Sequence, residues 1–296
     1  MIARAPGKLL LTGAYAVLEG APAIVVGVDR YAVADGATHD DAPSVELRAA
    51  LEVAPKVDVS SLYEGTSKLG LGSSAAARVA ALGVRLAEQG SDLADPAVRE
   101  TIFARARSAH AAAQGGGSGV DIAASVHGGV LEYRLKGDRA ERTPVELPPG
   151  LHVSAFFSGT SARTSELRGR VDALRERSPR LHAECMDALE DAAERAAVAV
   201  RGGDGKGFLS ACHDTARGLE ALGRAADAPI VRESAKELLV LASLEGAVFF
   251  PSGAGGGDVF VFVGVAPPSE PFKATAERLA WKSVPFGIDR CGVHSV

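Results

Sequence analysis

The stretch KLGLGSSAAARVAALG, residues 68–83, restricts the fold more than any other part of the chain. Gly70 and Gly72 admit backbone angles closed to other residues, and Val79, Leu82 and Leu86 follow at helical spacing. The pattern predicts a glycine turn that opens a helix capped by Ser73 or Ser74 and stopped by Gly90. Amides at such a helix start point at an anion, and the helix dipole favours one there. No Lys-Ser/Thr pair follows the glycines, so this is not a Walker A loop. A tight strand-to-helix turn with a serine cap is the plainer alternative.

Net charge of −5 argues against nucleic acid as a partner. Cys185, Cys212 and Cys291 are far apart and fit neither a disulfide framework nor a zinc site. Pro6, Gly7 and Lys8 precede the first apolar run and Glu19 closes it, which is unlike a secretory leader. No apolar span approaches the ~20 residues of a membrane helix. The expectation is a cytoplasmic protein with no membrane partner, a monomer or homodimer.

Residues 8–18, 23–34 and 44–53 read as strands. Asp95-Pro96 opens a helix that buries Val98, Ile102, Ala106, Ala109 and Ala113 and ends at Gly115-Gly116-Gly117. GGVLEYRL is a strand, and the charged, proline-rich segment 136–150 is the expected boundary between domains at 1–145 and 146–296. Beyond it come strand HVSAFFSG, helices from Ser178-Pro179 to Gly202, over about 206–224 and 230–245, and strands AVFF and DVFVFVGV around PSGAGGG. A last helix near 271–282 carries Trp281, and GVHSV is a strand. This order predicts an α+β chain of two domains, not a doubly wound sheet.

Two other segments bear on chemistry. PGKLLLTGAYAVLEG (6–20) holds Lys8 inside an apolar strand, where lysine is rare unless paired or snorkelling at an edge. PSGAGGGDVFVF (251–262) has more glycine than a hairpin needs, although a wide turn is the simpler reading. Together the three segments resemble, in order and spacing, the three motifs of the GHMP kinase superfamily: PGK-apolar-GEY/H-AV, GLGSSAA and GAGGGD. Within it, HAAAQGGGSGVDIAASVHG (110–128) and FFSGTSARTSELRGRV (156–171) resemble segments of the phosphomevalonate kinase family.

The resemblance implies a two-domain GHMP fold, with a mixed α/β nucleotide-binding N-terminal domain and a ferredoxin-like C-terminal domain with extra helices. It implies ATP and Mg²⁺ as cofactors and a small-molecule acceptor, 5-phosphomevalonate, with an alcohol acceptor such as mevalonate, homoserine or a sugar as the alternative. A binding protein that keeps the fold without catalysis is a third reading. Lys8, Lys68 and Asp121 fall on catalytic positions. Gly70, Leu71, Gly72, Ser73, Ser74, Ala75, Gly255 and Gly256 fall on the nucleotide loops. Ser74, with Ser73 second, is the hydroxyl for the metal. Tyr15, Gln114, Ser118, Gly119, Arg163, Thr164 and Ser165 fall on the acceptor side. Asp121 has a plainer reading as a helix N-cap, and Arg163 as a surface arginine. Whether Asp121 is a base or positions metal or lysine stays open, because a phosphate acceptor is already largely ionised near pH 7. Two departures stand out: Ala14 replaces the usual glutamate before Tyr15, and ARSAHAAAQ lacks the metal-binding glutamate of mevalonate kinases.

Overall fold

The computed structural model describes residues 1–114, 117–161 and 164–296, without the side chains of Glu46, Ala113 and Gln114. Strand β1 (Ile2–Thr12) pairs antiparallel with the long β2 (Pro22–His39). The pairing shifts register between Pro6 and Gly7, one residue before Lys8. Helix α1 (Val45–Ala50) and strands β3 (Pro55–Asp58), β4 (Tyr63–Glu64) and β5 (Ser67–Lys68) lead to helix α2 (Ser73–Glu88). Helices α3 (Pro96–Gln114) and α4 (Val120–His127) follow, then β6 (Val130–Lys136) and β7 (Arg139–Val145). With the C-terminal β12 (His294–Ser295), these form a six-stranded sheet of order β12-β1-β2-β6-β7, with β3 joined to β2.

The chain reaches a second, antiparallel sheet at β8 (His152–Phe157). Helices α5 (Thr164–Arg177), α6 (Pro179–Gly202), α7 (Gly205–Ala226) and α8 (Lys236–Leu244) precede β9 (Val248–Pro251) and β10 (Val259–Gly264). Helix α9 (Glu270–Arg278) and β11 (Lys282–Val284) complete the order β11-β8-β10-β9. Each strand of this sheet alternates faces. Val259, Val261 and Val263 of β10 join the main core, which runs from α2 through β1 to α6 and α7. Phe260 and Phe262 point the other way into an aromatic cluster with Phe156, Phe249, Phe272 and Trp281. Bidentate Arg134–Glu194 contacts at 2.7 and 2.9 Å and Arg201–Glu132 contacts at 2.6 Å tie β6 to α6. No helix among the described residues is long and apolar enough to cross a membrane.

Several local expectations change. Residues 44–53 form helix α1, because Ser44 Oγ accepts the Leu47 amide and Leu47 buries against Ala54 and Ala81. The charged segment after residue 136 contains β7, whose polar residues suit an edge strand that pairs in full with β6. Helix α9 ends before Trp281, since Ala280 turns left-handed at φ 61°, and the indole packs edge-on to Phe249 and Phe260. Helix α2 is capped by Gly72, not by a serine: Gly72 sits at φ 77°, and Ser73 and Ser74 are the first helical residues.

Candidate active site

Gly7 explains how the first segment meets the second. A Cβ there would lie 2.7 Å from both Leu62 Cδ2 and the Leu71 carbonyl, so only glycine lets loop 69–72 settle on β1. The Lys8 amide then donates to Leu71 O at 2.8 Å, and Lys8 Nζ donates to Gly70 O at 2.9 Å. Burial pushes the Lys8 ammonium below its usual pKa, while the carboxylates of Asp121 and Asp258 oppose that shift. Lysine in this strand is therefore anchored on a backbone carbonyl.

Around this lysine the structure gathers most of the expected nucleotide residues. Gly72 packs beside it, with its missing Cβ 3.0 Å from Lys8 Cγ and 3.7 Å from Asp121 Cβ. The α2 start has no side-chain cap, which leaves the amides of its first turn without a side-chain acceptor. Ser73 is buried, Ser74 half-buried, and Leu71 and Ala75 anchor the turn in the core. Asp121 lies in the first turn of α4, half-buried, with Oδ1 accepting the Ile122 amide at 2.9 Å. Its helix starts from Gly119 at φ 76°. Ser118 supports that start: its carbonyl accepts the Tyr133 hydroxyl, and its Oγ accepts the Val120 amide at 3.4 Å.

Other expected residues sit differently. Lys68 is exposed at the end of the β4–β5 hairpin, and its carbonyl accepts Ser161 Oγ at 2.8 Å. Tyr15, expected at the acceptor, is nearly buried at φ 64° and donates its hydroxyl to Ala254 O at 2.7 Å, where burial raises the phenol pKa. It is a strut between the first and third segments. At Gly255 and Gly256, expected on the nucleotide, the Cβ direction points into the protein. A Cβ on Gly255 would lie 2.3 Å from Ile230 O, and one on Gly256 would lie 2.6 Å from Leu167 Cδ1. Both positions need glycine for packing. Thr164 and Ser165 open α5 with exposed side chains. Arg163 and the Gln114 side chain lie outside the described residues.

The sequence reading missed four contributors. Ser252 Oγ accepts the Leu10 amide at 2.9 Å, and Ser161 ties the hairpin to the second sheet. Arg232 bridges Thr160 Oγ1 and, at 3.3 Å, Gly256 O. Asp258 packs against Gly70. Only Asp258 carried a signal, as the acid that closes the third glycine run. Two surface clefts, of about 800 and 510 Å³, are lined by none of the expected site residues. Fixed amides and charges suit a polyphosphate better than an apolar hollow does.

The site can be tested for fit to a nucleotide and Mg²⁺. Uncapped helix amides, a glycine turn and Lys8 suit phosphate oxygens. The Ser74 hydroxyl and Asp121 carboxylate are hard oxygen donors. Among the described residues no three His, Cys, Asp or Glu cluster as a metal cage. Mg²⁺ beside substrate phosphates commonly takes only one or two protein oxygens.

No protein-family model matches the chain. A phosphomevalonate kinase from a Streptomyces species is 28% identical over 87% of this chain and 88% of its own length. A mevalonate kinase of Archaeoglobus fulgidus is 31% identical over 64% of this chain and 69% of its own. The structure of Streptococcus pneumoniae phosphomevalonate kinase in complex with phosphomevalonate and AMPPNP superposes with a TM-score of 0.82. That match covers 98% of this chain and 100% of the other at 17% identity.

Proposed function

Because the chain belongs to the GHMP kinase superfamily, we propose that it is an ATP-dependent kinase that converts 5-phosphomevalonate to 5-diphosphomevalonate, in the mevalonate route to isoprenoids. The observation that carries the reading is the meeting of Lys8, the Gly70–Ser74 turn and Asp121 at one helix start. The Streptomyces relative, similar along nearly its whole length, favours a phosphorylated acceptor.

In this reading an oxygen of the acceptor phosphate attacks the γ-phosphorus of ATP. A new P–O bond forms, the bond to the bridging oxygen breaks, and ADP leaves with that electron pair. The chain's task is positioning and charge compensation. Amides at 70–74 hold the nucleotide phosphates, and the Lys8 ammonium sits where charge grows on the transferred group. Ser74 and Asp121 would be the protein oxygens that hold Mg²⁺, which would supply neutralisation of the phosphate charge. The acceptor phosphate has a second pKa of about 6, so it needs no strong base. Asp121 then serves chiefly to orient the attacking oxygen and to keep Lys8 charged. Lys68 adds a cation at the rim.

The Archaeoglobus relative favours a second reading, phosphorylation of mevalonate itself. Against it stands the C-terminal half of α3, where Ser108, Ala109, His110 and Ala111 offer no carboxylate for a metal. The test is ³¹P NMR of the products formed from ATP, Mg²⁺ and each of mevalonate, 5-phosphomevalonate, homoserine and galactose. A second diphosphate doublet pair, beside that of ADP, from 5-phosphomevalonate with no new phosphomonoester from the alcohols supports the proposal. A new phosphomonoester from mevalonate, with 5-phosphomevalonate untouched, assigns the alcohol kinase instead.

A further inference from the structure

Asp121 stands in the first turn of a short helix whose start is held by groups that the reaction above does not use. Helix α4 has no side-chain cap and leaves Gly119 at φ 76°. The first carbonyl of its ladder is that of Gly119, which accepts the Ala123 amide at 2.9 Å. The Ser118 carbonyl lies outside the ladder and needs a donor from elsewhere. Tyr133 supplies it, donating its hydroxyl to Ser118 O. The tyrosine is fully buried in the middle of β6, paired with Ala23 of β2 on one side and Arg142 of β7 on the other. A strand paired along both edges is a firmer base for a site than a loop.

Arg107 of α3 closes the other side of the turn. A Cβ on Gly119 would lie 3.4 Å from both Tyr133 Oη and Arg107 Cδ, and 3.7 Å from Arg107 Cγ. The arginine is fixed in its turn, because Nη1 donates to Asp138 O between β6 and β7. By contrast, the contact of the Asp121 carboxylate is local: Oδ1 accepts the Ile122 amide at 2.9 Å, which ties the side chain to its own helix. The aim of that carboxylate therefore follows the placement of the helix start.

We propose that Tyr133 is a positioning residue for Asp121: by holding the Ser118 carbonyl it sets the left-handed turn at Gly119, and with it the place from which the carboxylate meets the acceptor. The inference rests on the assignment of Asp121 to the attacking oxygen. Displacement of a reacting group by about 1 Å can cost on the order of a hundredfold in rate, so one buried hydroxyl suffices to matter.

Tyr133→Phe keeps the ring and its packing and removes only the donor. Single-turnover phosphoryl transfer is measured with and without this substitution, in the wild type and in an Asp121→Ala background, together with ATP affinity. The expected rate loss in the wild type is roughly tenfold to a hundredfold, with ATP affinity within about twofold. In Asp121→Ala the same substitution should change the residual rate by less than about twofold, since no carboxylate is left to aim. Arg107→Met, which keeps a stem against Gly119 and releases Asp138 O, is the second variant if Tyr133→Phe fails to fold, and the same pattern is expected of it. A readout without turnover is the carboxyl ¹³C resonance of Asp121 in ¹³C-aspartate-labelled protein, assigned by its loss in Asp121→Ala. It should move in either variant with no ligand bound. A folded variant with the wild-type rate, an equal loss with and without Asp121, or an unmoved Asp121 resonance overturns the proposal. Equal losses are what a general loosening of the fold gives. A resonance that moves in a protein that phosphorylates neither acceptor would leave the hold on the turn standing and remove the kinase assignment.

Discussion

Gly255→Ala separates a packing glycine from a ligand-facing one. The residue sits at φ 79°, so alanine costs about 1 kcal/mol in backbone strain alone. The new methyl would meet Ile230 O at 2.3 Å, Ile230 Cγ2 at 2.8 Å and Ile230 C at 2.9 Å. Two of these are backbone atoms and cannot rotate away, so the 228–232 turn has to move, at about 1–3 kcal/mol for overpacking. Movement also loosens the bond from the Gly256 amide to Ile230 O at 2.9 Å, worth about 1 kcal/mol. The sum is about 3–5 kcal/mol, or roughly 6–10 °C in Tm for a chain of this size. Gly72→Ala is the matched control. It carries similar strain at φ 77°, but its methyl meets the flexible stem of Lys8 at 3.0 Å. Urea denaturation and ATP affinity are measured on both. Gly255→Ala should lose most of its stability margin while the fraction still folded keeps wild-type ATP affinity, and Gly72→Ala should do the reverse. A Gly255→Ala protein of wild-type stability that fails to bind ATP would refute the packing assignment.

Ser74→Ala should lower kcat by roughly tenfold to a thousandfold and raise the Mg²⁺ requirement, as loss of a hydroxyl ligand does. A wild-type Mg²⁺ titration would remove Ser74 from the metal. Lys68→Met should reduce kcat by on the order of tenfold, and the deficit should shrink with added salt because this lysine is exposed. A salt-independent loss would mean that the side chain folds into the site. Burial, with Arg142 and Arg99 nearby, pushes His127 from 6.5 down to about 4. The folded state then binds fewer protons between those values, so stability falls as pH drops through that window. His127→Gln should remove about 2 kcal/mol of the loss between pH 7 and pH 4 in urea denaturation, after allowance for the ring's partial exposure. Parallel wild-type and variant curves would contradict it.

What could be read in advance was what glycine and charge make local. Gly70, Gly72 and the helix behind them follow from positive φ and apolar spacing, and Lys8 in an apolar strand demands a partner. Gly255 and Gly256 show the limit of that logic. Absence of a Cβ is the same signal whether a phosphate or Ile230 fills the space. The Tyr15–Ala254 and Leu10–Ser252 bonds join residues more than two hundred positions apart, and no local pattern announces them. Residues 44–53 were ambiguous because a short apolar run fits either period, and the Ser44 cap decided for helix. Strand β7 was hidden by its charges, which mark an edge strand and a linker alike.

Lys8 Nζ is held by Gly70 O, and in the proposed reaction its ammonium acts on the transferred phosphoryl group. Single-turnover phosphorylation of 5-phosphomevalonate by Lys8→Met, with enzyme in excess over ATP, tests that directly. The expected result is a phosphorylation rate reduced by about 10²–10³, as loss of one preorganised charge donor gives, with ATP affinity changed by less than about tenfold. A Lys8→Met protein that is correctly folded and transfers phosphate at the wild-type rate would contradict it.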